Sequence, residues 1–288
     1  METISELRLI CQNSRTGVKD DELGLWKDFL NKFYYFISIY FTWILIRLRF
    51  TANGVTILSG IIAIIGGYLI SLDNRVLILM GFILFHIFAI LDMCDGEVAR
   101  YNKSSNINGQ FLDWFMHFIY SFGFVGGLSL YVILKVDSVA LIIIALISLA
   151  VSLFDKVITS ATWTAIIWTK LRRFNNPNKL DFDEKNEYTL HSVSKIYKFV
   201  RFLFNHLFSD HWAKLTLLIL SMIDLFLYLF SFNFIDYRFL AVLYIGIYGP
   251  IYIFRRVKNI ITNNNLSKAY NRVFIYNEPP KFPDDDFV

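Results

Sequence analysis

Cysteine is scarce in this chain. Cys11 and Cys94 are the two present among 288 residues, too few for a disulfide framework, and Cys94 is expected simply to pack where it stands. No dense basic stripe marks a soluble face, and a net charge of +4 is modest, which argues against nucleic acid as a partner. The first 30 residues are polar and charged without an early apolar core, so no cleavable signal peptide is expected. No internal repeat is visible. What the chain has in abundance is apolar surface: 56% of it is hydrophobic, with a mean hydropathy of +0.48, 29 Phe, 16 Tyr and 6 Trp. Long uncharged runs with that composition indicate an integral membrane protein with aromatic belts at the interfaces.

Residues 1–31 read as a soluble arm. Within it Leu25, Trp26, Phe29, Leu30 and Phe33 recur at helical spacing against Lys27, Asp28, Asn31 and Lys32, the pattern of an interfacial amphipathic helix. The apolar stretch from Phe33 to Ile46 would extend about 21 Å as a helix, short of the roughly 30 Å hydrocarbon core. It is read as lying in or dipping into the interface, with a tilted span as the alternative. Six better spans follow at 53–72, 76–93, 109–134, 138–169, 212–232 and 237–254. The expected fold is therefore an all-α, polytopic membrane helical bundle of about six transmembrane helices plus the interfacial helix. Its divisions are an arm over 1–50, a membrane domain over 51–258 with a loop at 170–211, and a tail over 259–288. Lys170, Arg172, Arg173, Lys179, Lys185, Lys195, Lys198 and Arg201 fall between the fourth and fifth spans, and Arg255, Arg256 and Lys258 follow the sixth. The positive-inside rule then places both termini, the 94–108 loop and the 170–211 segment in the cytoplasm. The tail, Asn-rich and then carrying Pro279, Pro280, Pro283 and three aspartates, is expected to be mobile.

Carboxylates at the edge of the hydrocarbon are expensive, so an acidic cluster there is a functional site by default. Asp92 and Asp95 stand three apart at the end of the second span and point within about 60° of each other on a helix. Gly109, Asp113 and His117 follow at intervals of four and form one stripe at the start of the third span. Three acids without matching cations suit hard divalent ions, which take oxygen ligands. Gly96 and Gly109 leave room for a bulky ligand, and Arg100 can oppose a phosphate or hold a ligating carboxylate. The plainer alternative is an ion-pair network tying the spans together.

These residues stand at the spacings of D-x2-D-G-x2-A-R-x8-G-x3-D-x3-D, with Asp92, Asp95, Gly96, Ala99, Arg100, Gly109 and Asp113 in place and His117 where the last aspartate belongs. In this the chain resembles the CDP-alcohol phosphotransferases, over about residues 50–255. Thr51-Ala52-Asn53-Gly54-Val55-Thr56 is similar to the Pro-Asn-x-x-Thr that opens the family's first span, with Ala52 in place of proline. The resemblance implies transfer of a substituted phosphoryl group from a CDP-linked donor to an alcohol acceptor, with release of CMP, in phospholipid synthesis. It implies a divalent cofactor, Mg2+ or Mn2+, as two ions held by Asp92, Asp95 and Asp113. It assigns the cytidine and pyrophosphate pocket to Asn53, Gly96, Ala99, Arg100 and Gly109, and the base to His117. An imidazole there can accept the proton or ligate a metal, favouring a softer ion than magnesium. The swap also allows a silent, binding-only relative; a cation-coupled transporter is a remoster reading, since the acids cluster at one face.

Other polar features remain open between two roles. Asn53 and Thr56 either line the site or cap the first span. Ser152, Asp155 and Thr159 with Thr162 form a stripe on the fourth span that faces a cavity or pairs within the bundle, Asp155 with Lys156 or with another helix. His117 could make an interhelical hydrogen bond. Gly123, Gly126 and Gly127 permit close helix packing, within the chain or between two copies in a homodimer. The basic 170–211 segment serves as a topology determinant and a contact for anionic membrane lipids, or holds an acidic acceptor, and Asp181, Asp183 and Glu184 within it are read as solvated.

Overall fold

A computed structural model describes residues 2–12, 25–175, 210–230, 232 and 236–262. It is all-α, with no strand among the described residues. The helices are α1 (Ile4–Gln12), α2 (Leu25–Arg47), α3 (Ala52–Ser71), α4 (Arg75–Tyr101), α5 (Ile107–Lys135), α6 (Val139–Asn175), α7 (Asp210–Leu229) and α8 (Tyr237–Thr262). Five of them are long and apolar enough to cross a membrane: α3, α4, α5, Val139–Trp168 of α6 and Tyr237–Ile261 of α8. The remaining apolar segment of the sequence is α7, whose first side chains lie outside the described residues. The chain divides into two compact units, Met1–Leu153 with Asp210–Ile247, and Phe154–Ser209 with Tyr248–Val288.

In the first unit α3 is the spine. It packs against both α4 and α5, α4 also meets α2 and α7, and α1 lies against α2 and α4. The sequence of α3 explains why. Val55, Ser59, Ala63, Gly66, Gly67 and Ile70 are buried, while Ile57, Ile61, Ile64 and Tyr68 are exposed. Small residues face protein and large apolar ones face outward, the arrangement of a helix whose solvent is lipid. Without side chains at Gly67, Gly123 and Gly127, the α3 and α5 backbones come together. A Cβ at Gly67 would stand 2.3 Å from the Gly123 carbonyl oxygen, and one at Gly123 2.6 Å from the Ala63 carbonyl oxygen. Gly126 instead faces Leu149 of α6. These glycines are thus spent on crossings inside the chain.

The end of the bundle remote from the acidic motif is closed by charges. Arg238 is buried, donates to the Ile70 and Leu72 carbonyls at 3.1 and 2.7 Å, and lies 3.4 Å over the Tyr131 ring. It thereby satisfies acceptors that the end of α3 leaves open. Arg75 pairs with Asp224 at 3.2 Å, Lys135 pairs with Asp73, and Tyr131 donates to Asp236.

Three expectations need correction. Much of the expected 94–108 loop is helical. α4 runs on to Tyr101, so the whole motif from Asp92 to Arg100 is helical and the connection shrinks to 102–106. Charge ends an apolar run without ending a helix: Cys94, Asp95, Glu97 and Val98 form a buried face there. The separate amphipathic helix and apolar dip are one continuous element, α2, of 23 residues. Its side chains up to Asn31 lie outside the described residues, while Tyr34, Ser38, Ile39 and Thr42 are buried. Finally, the start of the arm is a docked helix: Thr3 and Glu6 form a capping box, Thr3 N to Glu6 Oε2 at 2.7 Å and Glu6 N to Thr3 Oγ1 at 3.3 Å. Those bonds from Thr3 hold the Glu6 carboxyl below its usual range.

In the second unit, Asp155 pairs with Arg256 of α8, which also reaches the Thr159 hydroxyl at 3.1 Å. The polar stripe on α6 is therefore used in helix pairing. Thr162 bonds back to its own helix at Ile158. Asp181, Asp183, Glu184 and most of the basic 170–211 segment lie outside the described residues, as does the tail beyond Thr262.

Candidate functional site

The site is assembled from three helix ends. α3 begins at Thr51, whose hydroxyl accepts from Gly54 N at 3.1 Å, so neither Asn53 nor Thr56 is the cap. α5 begins at Asn106, whose side-chain oxygen accepts from Gly109 N at 2.7 Å. Between α4 and α5 the chain turns within five residues, with Lys103 at positive φ and Ser104 N bonded to the Ala99 carbonyl. This tight hairpin brings the last turns of α4 alongside the first turns of α5.

Asp92, Asp113 and His117 converge there. One ligand atom from each lies within 4.8 Å of the others. His117 Nε2 is 3.6 Å from Asp92 Oδ1 and 3.7 Å from Asp113 Oδ1, and all three side chains are partly exposed. Those separations exceed a hydrogen bond. Ligands bound at about 2.1 Å to one ion stand about 3 to 4 Å apart, so two carboxylates and an imidazole at this spacing fit a divalent cation. The cluster thus groups His117, rather than Asp95, with Asp92 and Asp113. Asp95 is buried on α4 and accepts from the Thr56 hydroxyl at 2.7 Å, which also donates to the Ala52 carbonyl.

Aromatic rings floor the cluster. The Phe88 ring meets His117 edge-on at 6.3 Å and stacks on Tyr120 at 4.7 Å. Lys214 of α7, itself buried, lies 4.7 Å over the other partner of that stack, Tyr120. A buried cation over this ring was not legible in the sequence, because α7 is far along the chain and only packing brings it back.

Gly109 and Gly96 have defined neighbours. A Cβ at 109 would come 3.2 Å from Asn53 Oδ1, so a bare α5 start is what lets Asn53 approach. A Cβ at 96 would come 3.3 Å from Arg100 Nη1, so the guanidinium lies along α4 over Gly96. Arg100 Nε donates to the Cys11 carbonyl at 2.6 Å, and among the described residues its terminal nitrogens meet no hydrogen-bond or ion-pair partner. It holds neither Asp92 nor Asp95. Ala99 completes the same turn of α4, half-buried.

Two features of the site escaped the sequence reading. Glu97 occupies a variable place in the motif yet is fully buried, and it accepts from Gln12 at 2.7 Å, Ser38 at 2.8 Å and Thr42 at 2.6 Å. α1 reaches the motif through Gln12, through the Cys11 carbonyl and through Tyr101, whose hydroxyl donates to Glu2 at 2.7 Å. The signals were a charged residue inside a buried helix face and Thr3-x-x-Glu6 ahead of Leu7 and Cys11. Burial pushes the Cys11 thiol up to about 11, with Glu97 adding to the shift and Arg100 opposing it. Cys11 and Cys94 are both free and buried.

No curated protein matches the chain. The family comparison is positive over the stretch that holds α3, α4, α5 and α6. Residues 49–176, which carry this motif on two adjoining helix ends, match the family model of CDP-alcohol phosphatidyltransferase, and over that stretch the chain is similar to the family.

Proposed function

We propose that this protein is an active CDP-alcohol phosphotransferase that works at the cytoplasmic face of the membrane with a lipid-linked reactant, in phospholipid synthesis. The observation that supports it best is the convergence of Asp92, Asp113 and His117, with Arg100 about two turns further along α4, its terminal nitrogens unpartnered among the described residues. The acceptor hydroxyl oxygen forms a new phosphoester bond to the distal phosphorus of the CDP-linked donor. The phosphoanhydride bond breaks, CMP departs with its electron pair, and the hydroxyl proton is released.

Asp92, Asp113 and His117 would hold a divalent ion. An ion bound there would supply charge neutralisation of the pyrophosphate and polarisation of the phosphoryl oxygens. With Nε2 turned to both carboxylates, His117 serves as a ligand, and Mn2+ suits its nitrogen better than Mg2+. Arg100 opposes the donor phosphates with its terminal N–H groups. Asp95, fixed by Thr56, braces α4 against α3. Asn53, Gly96, Ala99 and Gly109 line the nucleotide side of the cleft, where the two glycines keep it open.

The test is CMP release by the purified protein in nanodiscs, scanned over CDP-diacylglycerol and soluble CDP-alcohols with Mg2+ and Mn2+. Asp92→Asn and Asp113→Asn should each lower turnover about a hundredfold or more. Wild-type-like turnover in both rejects the ligand assignment. Absence of CMP from every donor, with CDP binding retained, identifies the silent relative that the His117 swap also allows.

A further inference from the structure

Glu97 is the most thoroughly enclosed carboxylate described, with 0% exposure, and no role in ion or donor binding reaches it. Burying a carboxylate is costly unless its oxygens are bonded, and an apolar residue at this variable place in the motif would avoid that cost. Among the described residues every bond comes from a neutral side chain on another helix. Oε1 accepts from Gln12 of α1 and Ser38 of α2, and Oε2 accepts from Thr42 of α2. The Gln12 amide also donates to the Tyr35 carbonyl at 3.0 Å, so it bridges α2 and α4. One residue before Gln12, the Cys11 carbonyl takes the Nε–H of Arg100. Arg100 lies three residues after Glu97 on α4. The same turn of α1 is therefore pinned by Glu97 and in turn pins the guanidinium.

We propose that Glu97 is a positioning residue that makes the N-terminal helix part of the substrate site: it locks α1 onto α4 so that the Cys11 carbonyl aims Arg100 at the donor's phosphates. This rests on the reading of Arg100 as the donor-phosphate residue. An arginine tethered through Nε loses rotamers before the ligand arrives, and that preorganisation strengthens binding without adding a contact to the ligand. Glu97 itself touches neither donor nor acceptor.

The probe is CDP, titrated onto the Mn2+-loaded full chain in nanodiscs, alongside donor KM and kcat. Glu97→Ala should weaken CDP binding about tenfold or more, and the loss should appear in donor KM more than in kcat. Glu97→Gln should recover most of the affinity. Its carbonyl can accept from Gln12 and Ser38, and its amide can donate to a turned Thr42 hydroxyl. On an Arg100→Ala background, Glu97→Ala should cost nothing further, because the residue it acts through is gone. In a Cys94→Ser background, maleimide should label Cys11 faster once Glu97→Ala releases α1. Gln12→Ala, which removes one donor and leaves the carboxylate, should move binding and labelling the same way if Glu97→Ala fails to fold. Unchanged CDP binding, a loss that adds to that of Arg100→Ala, or unchanged labelling of Cys11 overturns the proposal. Should the wild type neither bind CDP nor release CMP, the functional reading has failed on its own, and the Cys11 labelling then decides whether the clamp exists.

Discussion

With an imidazole nitrogen 3.6 and 3.7 Å from the two aspartate oxygens, the cluster offers two hard donors and one borderline donor to an ion. His117→Asp restores three oxygens and should move preference from Mn2+ toward Mg2+. His117→Ala should weaken Mn2+ binding at least about tenfold, since even outer partners of a metal ligand are worth that much. Electron paramagnetic resonance of Mn2+ titrated onto the detergent-solubilised protein reads both, and equal Mn2+ affinity in wild type and His117→Ala would remove His117 from the ligand set. Cys11 carries a second prediction. Burial disfavours its thiolate and pushes the thiol up to about 11 from an ordinary value of 9.0. The protonated thiol thus favours the folded state below the ordinary value, and that contribution is lost as pH rises through the folded one. Iodoacetamide should react with Cys11 slowly at pH 8 in the native protein and quickly after denaturation; equal rates would contradict the buried site.

At the level of elements, the α3–α5 seam sets how close the site's helix ends can come. Gly67→Ala places a methyl 2.3 Å from the Gly123 carbonyl oxygen, and backbone has no rotamer with which to yield. The cost should be about 1–3 kcal/mol or more, as for other overpacked crossings. Gly126→Ala meets only Leu149 at 3.6 Å and should be tolerated. Thermal unfolding in detergent separates the two, and matching melting temperatures would show that the seam is not where the helices are limited. Helices themselves were largely legible from apolar runs between caps. Their ends were not, as α4 shows. Leu91 to Tyr101 loses the apolar run yet keeps the helix, because its buried face is completed by α1 and α2, which a local window cannot see.

For the whole molecule, basic residues mark the C-terminal ends of spans along the sequence: Arg100 in the last turn of α4 and Lys103 just after it, Lys170 late in α6, and Arg255, Arg256 and Lys258 late in α8. The opposite end is joined by short connections and closed by neutralised pairs such as Arg75–Asp224 and Lys135–Asp73. Retention of the basic end inside predicts that a membrane-impermeant maleimide added to intact cells labels Ser138→Cys and spares Ser104→Cys. The reverse pattern would place the cluster outside and end the cytoplasmic assignment. The sequence by itself determined the helical class, the apolar spans and the residues of the motif, because hydropathy and i, i+4 spacing are local properties of a helix in lipid. Packing alone settled which of the acids share an ion-sized space, that Thr56 takes Asp95, that Lys214 lies over the Tyr120 ring, and that Gln12 of α1 bonds Glu97 in the motif. Those outcomes depend on how helices far apart in the chain pack, and small residues at their crossings, rather than the spacing within any one helix, set that geometry.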